Sequence, residues 1–139
     1  TLSSTDSPKP TLTPDQTGTY IATLIVNDGQ VDSQTSVTTI NVTQVNAAPV
    51  ANAGANQNVV TGTVVALMGS GSTDANFDAL TYKWALIAKP ANSVAALSST
   101  TAVNPTFTSD LAGVYVMSLI VNDGKVDSAV TTVTVTAAP

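Results

Sequence analysis

Apolar residues in this chain recur at every second position over short runs, and no stretch carries the three-to-four spacing of an amphipathic helix. Leu80, Tyr82, Trp84 and Leu86 alternate with Thr81, Lys83 and Ala85, which places the larger residues on one face of a strand. That run ends before Lys89 and Pro90, where a missing N–H would break a ladder. Tyr115, Met117, Leu119 and Val121 form one face of a second strand. The chain then turns through Asn122, Asp123, Gly124 and Lys125, whose Asp-Gly step tolerates the positive φ of a tight hairpin, and returns over 126–136. Val130 is out of parity with Val133 and Val135, so a bulge is expected in the returning strand. Residues 63–68 read as a further strand with Val65 and Leu67 inward, bounded by Gly62 and the turn-rich stretch 69–74. The fold expected from these elements is all-β.

The pattern occurs twice. Residues 2–33 laid over 97–128 without a gap give 19 identities among 32 positions, with the runs LSST and LIVNDG in both copies. After a two-residue slip the match resumes, 37–43 over 130–136. A period of about 93–95 residues is too long for a solenoid repeat and suits a whole sandwich domain. Residues 1–43 match only the later half of the second copy. The expected organisation is therefore the C-terminal half of one unit in 1–45, followed by a complete unit in 46–139. The closing residues 136–139 copy the junction at 46–49, as a tandem array would, and the brevity of 44–46 predicts a semi-rigid succession of units. A half unit has an uncovered apolar face, so it is expected to be completed by another chain, through swapping or strand donation, or to pack on its neighbour.

Four motifs bear on the type of sandwich: Asn46-Ala-Ala-Pro49-Val-Ala-Asn-Ala-Gly54, then the sequence GSGSTD over 69–74, then Leu80-Thr-Tyr-Lys-Trp84, then FTSDLAGVY over 107–115. Together they resemble the PKD family, the immunoglobulin-like domains named for polycystic kidney disease proteins and common in bacterial secreted and surface proteins. The resemblance covers 46–136 as a full unit and 1–45 as a half. Trp84 is followed by Ala85, Leu86 and Ile87, where one subgroup has Trp-Asp-Phe-Gly-Asp-Gly, so the chain is more similar to the receptor-for-egg-jelly-like variants. The resemblance implies an immunoglobulin-like β-sandwich. Independently of it, Asp110-x-x-Gly113-x-Tyr115 has the spacing of a tyrosine corner, with Met117 two residues on, where antibody domains place a cysteine. Trp84 is expected to pack on Met117, so that buried apolar side chains replace a disulfide.

The 139 residues include nine Asp and four Lys, and no Glu, Arg, His or Cys, for a net charge of −5. Without imidazole or thiol there is no usual general base, no cysteine nucleophile, and no customary zinc or iron–sulfur ligation, so an enzyme is not expected. The negative balance and the lack of arginine argue against a nucleic-acid partner. No apolar run approaches the roughly 18 residues needed to cross a bilayer.

One segment has the chemistry of a cation site. Asp74, Asn76 and Asp78 offer oxygens at every second position, as a calcium loop begins, although Ala79 and Ala85 stand where an EF-hand needs Gly and Glu. In an immunoglobulin-like topology the chain entry, this loop and the last hairpin share one pole, which adds Asn46 and Asp123 to the candidate Ca²⁺ ligands. The resemblance also implies calcium near such a junction. Against this, Asp and Asn form turns for local reasons of their own. Phe77 is the one aromatic not assigned to the core, since Tyr20, Tyr82, Trp84, Phe107 and Tyr115 have inward parity; it is the candidate contact for a polysaccharide. The function expected is a secreted or cell-surface bacterial spacer, stalk, adhesin or filament element. Its partners would be other copies of the chain, neighbouring repeats, a surface polysaccharide or a matrix protein. The alternative is an accessory binding module of a secreted hydrolase.

Overall fold

A computed structural model describes residues 1–139 and contains eight strands and no helix: β1 (Gly18–Leu24), β2 (Ser36–Val42), β3 (Gln57–Val60), β4 (Val64–Ala66), β5 (Thr81–Ala88), β6 (Thr106–Thr108), β7 (Gly113–Asn122) and β8 (Thr131–Ala138). The chain divides into two units, Thr1–Val45 and Asn46–Pro139. Unit 2 is an immunoglobulin-like sandwich. One sheet has the order β3–β8–β7–β5, with β3 parallel to β8 and the other pairs antiparallel; the second sheet is the short antiparallel pair β4–β6.

The core lies between these sheets, as the alternation requires. Trp84, Tyr115, Met117, Leu119, Val121, Val133 and Val135 from the larger sheet meet Val65, Leu67 and Phe107 from the smaller side, and all are buried. Burying each such side chain contributes about 1.5–3 kcal/mol. The rings of Phe107 and Tyr115 stand 5.2 Å apart at 47°, which ties the two sheets together through a tilted aromatic pair. Trp84 lies directly across from Leu119, and Leu86 across from Met117, so Trp84 is diagonal to Met117 within one buried cluster. The small residue at 69 is also a packing requirement: a Cβ there would come within 2.4 Å of the Val103 carbonyl oxygen and 3.2 Å of the Trp84 ring.

Three details differ from the sequence reading. The β7–β8 ladder runs without a register shift, and Val130 is 62% exposed ahead of β8, so the parity change is absorbed in the loop before the strand starts. The irregularity falls instead in β5, between Leu86 and Ala88. The strand read at 63–68 keeps Val65 and Leu67 inward but is paired only over Val64–Ala66, because β6 offers just three partners. The two-residue slip between the repeats is not realised in the pairing. Gly18 pairs with Val42 and Leu24 with Ser36; Gly113 pairs with Ala137 and Leu119 with Thr131, each position 95 residues further on. Ile40 therefore stands where Val135 stands. A slip of two preserves parity, so alternation alone cannot detect it. The turn decides the register: Asn27 donates to Asp32 at 2.6 Å and Asn122 to Asp127 at 2.7 Å, closing loops of equal length.

Unit 1 repeats the hairpin as β1–β2, together with an arm closed by a Leu2–Leu12 bridge. No residue in it is fully buried.

Candidate functional site at one pole of the sandwich

Three segments far apart in sequence meet at one end of unit 2: the entry at Asn46–Ala47, the loop 74–78, and the hairpin 122–127. The loop is held by its own first residue. Asp74 Oδ1 accepts the backbone N–H groups of Asn76 at 2.8 Å and Asp78 at 3.1 Å, and the Asp74 carbonyl accepts from Phe77 N–H at 3.3 Å. Asn76 Oδ1 then accepts from Ala47 N–H at 2.7 Å, docking the entry segment. The hairpin is held in a similar way by Asp123, whose Oδ1 accepts from Lys125 N–H at 2.8 Å and Val126 N–H at 2.7 Å. Its Oδ2 accepts the Asn46 side-chain amide at 2.6 Å.

The group at which these segments converge is Lys125, a residue the sequence reading treated only as part of a turn. Its ammonium donates to Asp78 Oδ2 at 2.6 Å and to Asn46 Oδ1 at 3.1 Å. The hydrogen bond to Asp78 raises the Lys125 pKa above its ordinary value, with further support from the charges of Asp78, Asp123 and Asp74. Asp123 is depressed to about 2, first by the Asn46 amide and then by the Val126 N–H. A signal for Lys125 was present in the repeat itself: within the shared sequence NDGxVDS, unit 1 has Gln30 and unit 2 has Lys125.

All five predicted ligands are at this pole, but as they stand they do not fit a calcium ion. Ca²⁺ takes six to eight oxygens. Here Asn46 Oδ1 and Asp78 Oδ2 face an ammonium, both Asp123 oxygens and Asp74 Oδ1 accept N–H groups, and Asn76 Oδ1 is turned to the backbone. Among the oxygens of these five residues Asp74 Oδ2 alone is buried without a partner, and no group of three acidic side chains is placed to hold a metal. Between Asn46 and Asp78 the position a cation would take is held by the Lys125 ammonium, bonded to both.

The family model described as K319L-like, PKD domain matches residues 53–137. The chain belongs to that family. Among solved structures, its PKD fold is similar to that of a nucleoside hydrolase-related hypothetical protein from Saccharophagus degradans that is associated with carbohydrate metabolism, at 21% identity and a TM-score of 0.57 over 67% of this chain. The present chain spans only 26% of that protein. It is also similar to the PKD domain from KIAA 1837 protein, at 23% identity and a TM-score of 0.54, covering 68% of this chain and 91% of that one. An endo-fucoidan hydrolase from glycoside hydrolase family 107 aligns over 99% of this chain and 22% of its own length, at 19% identity and a TM-score of 0.46. No curated protein sequence matches the chain.

In this PKD unit the tyrosine corner is formed. Tyr115 Oη accepts the Leu111 N–H at 3.0 Å and lies 2.8 Å from the Leu111 carbonyl and 2.9 Å from Asp110 Oδ1. Unit 1 has the same corner, with Tyr20 Oη against Gln16 and Asp15 at 2.9–3.0 Å. Phe77, the candidate binding residue, is 94% exposed and has a φ of 62°, a left-handed conformation uncommon for an aromatic residue. No helix of the chain is long and apolar enough to cross a membrane.

Proposed function

We propose that this chain is a non-catalytic, extracellular tandem-repeat segment acting as a spacer or stalk in a bacterial surface or secreted protein. The observation that carries this reading is the reuse of one hairpin, with its turn and tyrosine corner, at a constant interval of 95 residues. The positions that recur are those that hold the hairpin, the Asn–Asp turn and the tyrosine corner, as expected of a repeated packing element. The side chains with chemical potential in unit 2 are committed to structure: Trp84, Tyr115 and Phe107 lie in the core, while Asp110 and Asp123 anchor loops.

A second reading, an accessory polysaccharide- or protein-binding module, is favoured by one observation, the exposed Phe77 ring at the tip of a polar loop. Co-sedimentation of the chain with chitin, cellulose and collagen separates the two. The spacer reading expects no retention on any of them. Retention that is lost in Phe77→Ala would replace it with the accessory-module reading.

A further inference from the structure

Both hairpins turn on the same residues, the sequence NDGxVDS at 27–33 and at 122–128. The hydrogen bonds within the two turns are also the same. Asn27 Oδ1 accepts the Gly29 N–H at 2.6 Å, and Asn122 Oδ1 accepts that of Gly124 at 2.6 Å. Asp28 Oδ1 accepts from Gln30 N–H at 2.9 Å and Val31 N–H at 3.0 Å, as Asp123 Oδ1 accepts from Lys125 and Val126. Both glycines have a positive φ, 96° at Gly29 and 88° at Gly124, and at neither would a Cβ meet another atom within 4 Å. Sequence and turn geometry therefore give the two Asp-Gly steps the same intrinsic reactivity.

The two steps differ in what else holds the aspartate. Asp123 is 5% exposed, and its Oδ2 accepts the Asn46 side-chain amide at 2.6 Å, a tie to a residue 77 positions away. Asp28 is exposed, and its carboxylate is held through Oδ1 alone, by N–H groups of its own turn.

An Asp-Gly step brings a side-chain carboxyl next to a backbone nitrogen that no neighbouring side chain shields, because glycine has no Cβ. Addition of the Gly29 nitrogen to Asp28 Cγ forms a Cγ–N bond and breaks a Cγ–O bond. One water leaves, made from the carboxyl OH and the amide proton. The five-membered succinimide then takes a water back at the Asp28 backbone carbonyl carbon, where the bond to the Gly29 nitrogen breaks. The chain now runs through the former side chain, the carboxylate is on the α-carbon, and the mass is unchanged. The reaction consumes no oxidant, reductant or co-reactant besides the water it returns.

We propose that Asp28–Gly29 is a site of spontaneous backbone isomerisation, and that the Asn46 amide withholds the same reaction from Asp123–Gly124. In a closed turn neither reacting group is free, since the glycine N–H and the carboxylate are both bonded. Reaction proceeds from the opened turn, and the population of that state sets the rate. Opening 27–33 breaks bonds made within the turn and its stem, such as Asn27 to Asp32 at 2.6 Å and Ser33 N–H to the Val26 carbonyl at 2.8 Å. Opening 122–128 must in addition break the Asn46–Asp123 bond and the Lys125–Asp78 ion pair, and expose Asp123 and Ser128, which are buried. The product alters the hairpin: a β-linkage adds one carbon to the backbone of the loop that sets the register of β1 on β2, and displaces the Asn27–Asp32 closure. The inference is independent of the spacer and accessory-module readings, since it concerns only the covalent chemistry of the turns.

The test holds the full chain at neutral pH and physiological temperature for weeks and maps its peptides by fragmentation that tells α-linked from β-linked aspartate. β-Linkage at Asp28 is expected to accumulate at least ~10-fold faster than at Asp123. In concentrated urea, where both turns are open, the two rates should agree within ~2-fold, which assigns the difference to the fold and needs no variant. Asn46→Ala and Asn46→Ser, compared at matched hydrogen-exchange protection of the Leu119 amide, should raise the Asp123 rate by at least ~3-fold and leave the Asp28 rate unchanged. Asp28→Glu, whose longer side chain disfavours the ring, should give no product at position 28. Absence of β-linkage at Asp28, or equal rates at the two steps in the folded chain, would overturn the proposal. An Asp123 rate that neither Asn46 substitution changes would overturn the part assigned to Asn46.

Discussion

Asp110 and Asp123 hold their loops by the same means, a carboxylate that collects N–H and O–H donors from chain segments unable to reach one another. Asp110 accepts from Ser93 Oγ at 2.5 Å, from Val94 N–H at 2.6 Å and shares the Tyr115 hydroxyl, so it ties the 93–94 turn to the tyrosine corner. Its pKa is lowered to about 2, first by Ser93; that of Asp123 is lowered to about 2, first by Asn46. Both folded values lie below the ordinary 3.8, so the unfolded chain takes up protons first as pH falls. Their stabilisation is complete above about pH 3.8, declines between 3.8 and 2, and is gone below about 2. Urea midpoints measured across that window should fall with pH, and Asp110→Asn should lower the midpoint at neutral pH while flattening the acid slope. A slope unaffected by the substitution would mean that other groups govern acid unfolding. Lys125 has the opposite sign: its pKa is raised, so its contribution is present below the ordinary 10.5 and is lost as pH climbs through the raised value. The corner was legible because its spacing is local. The role of Lys125 was not, because its partners Asp78 and Asn46 lie 47 and 79 positions from it in the sequence.

At the level of elements, legibility followed length and alternation. The faces of β5 and β7 could be read directly, since eight- and ten-residue strands alternate inward and outward residues over several repeats. β3 and β6 were not identified as strands. β3 is a four-residue edge, polar at Gln57 and Asn58, which exists because its backbone finds β8 in parallel 78 residues away. β6 is only three residues long. Such elements are made by their neighbours and leave little periodicity of their own. The same dependence on neighbours makes the two copies of the hairpin a controlled experiment. Leu119→Ala in unit 2 should cost about 2–5 kcal/mol, because it opens a cavity in a closed core. Leu24→Ala, at the equivalent position of unit 1, should stay within about 0.5 kcal/mol, as substitutions of exposed residues do. Equilibrium unfolding of both variants checks this. Equal losses would mean that Leu24 is covered in solution.

At the scale of the two units, the repeat in sequence is strong, yet the buried core is confined to unit 2. Every member of the buried core lies between Ala53 and Ala137, and none lies in unit 1. A two-stranded hairpin with one arm buries too little apolar surface to resist opening, whereas a two-sheet sandwich opens only cooperatively. Both units display cleavable apolar residues, such as Leu24 and Val31 in unit 1 and Val64 and Val130 in unit 2, so exposure of side chains alone would not direct a protease to either one. The difference lies in the backbone, which must leave its ladder before it can enter a protease site. Unit 1 can do so locally; unit 2 must give up the packing of Trp84, Tyr115 and Leu119 together. Limited digestion with a protease that cuts at aliphatic residues should therefore remove 1–45 first and leave a fragment beginning close to Asn46, identified by mass and N-terminal sequence. Cleavage within 46–139 at a comparable rate would show that unit 2 also opens locally, and that its closed core is not what separates the two units.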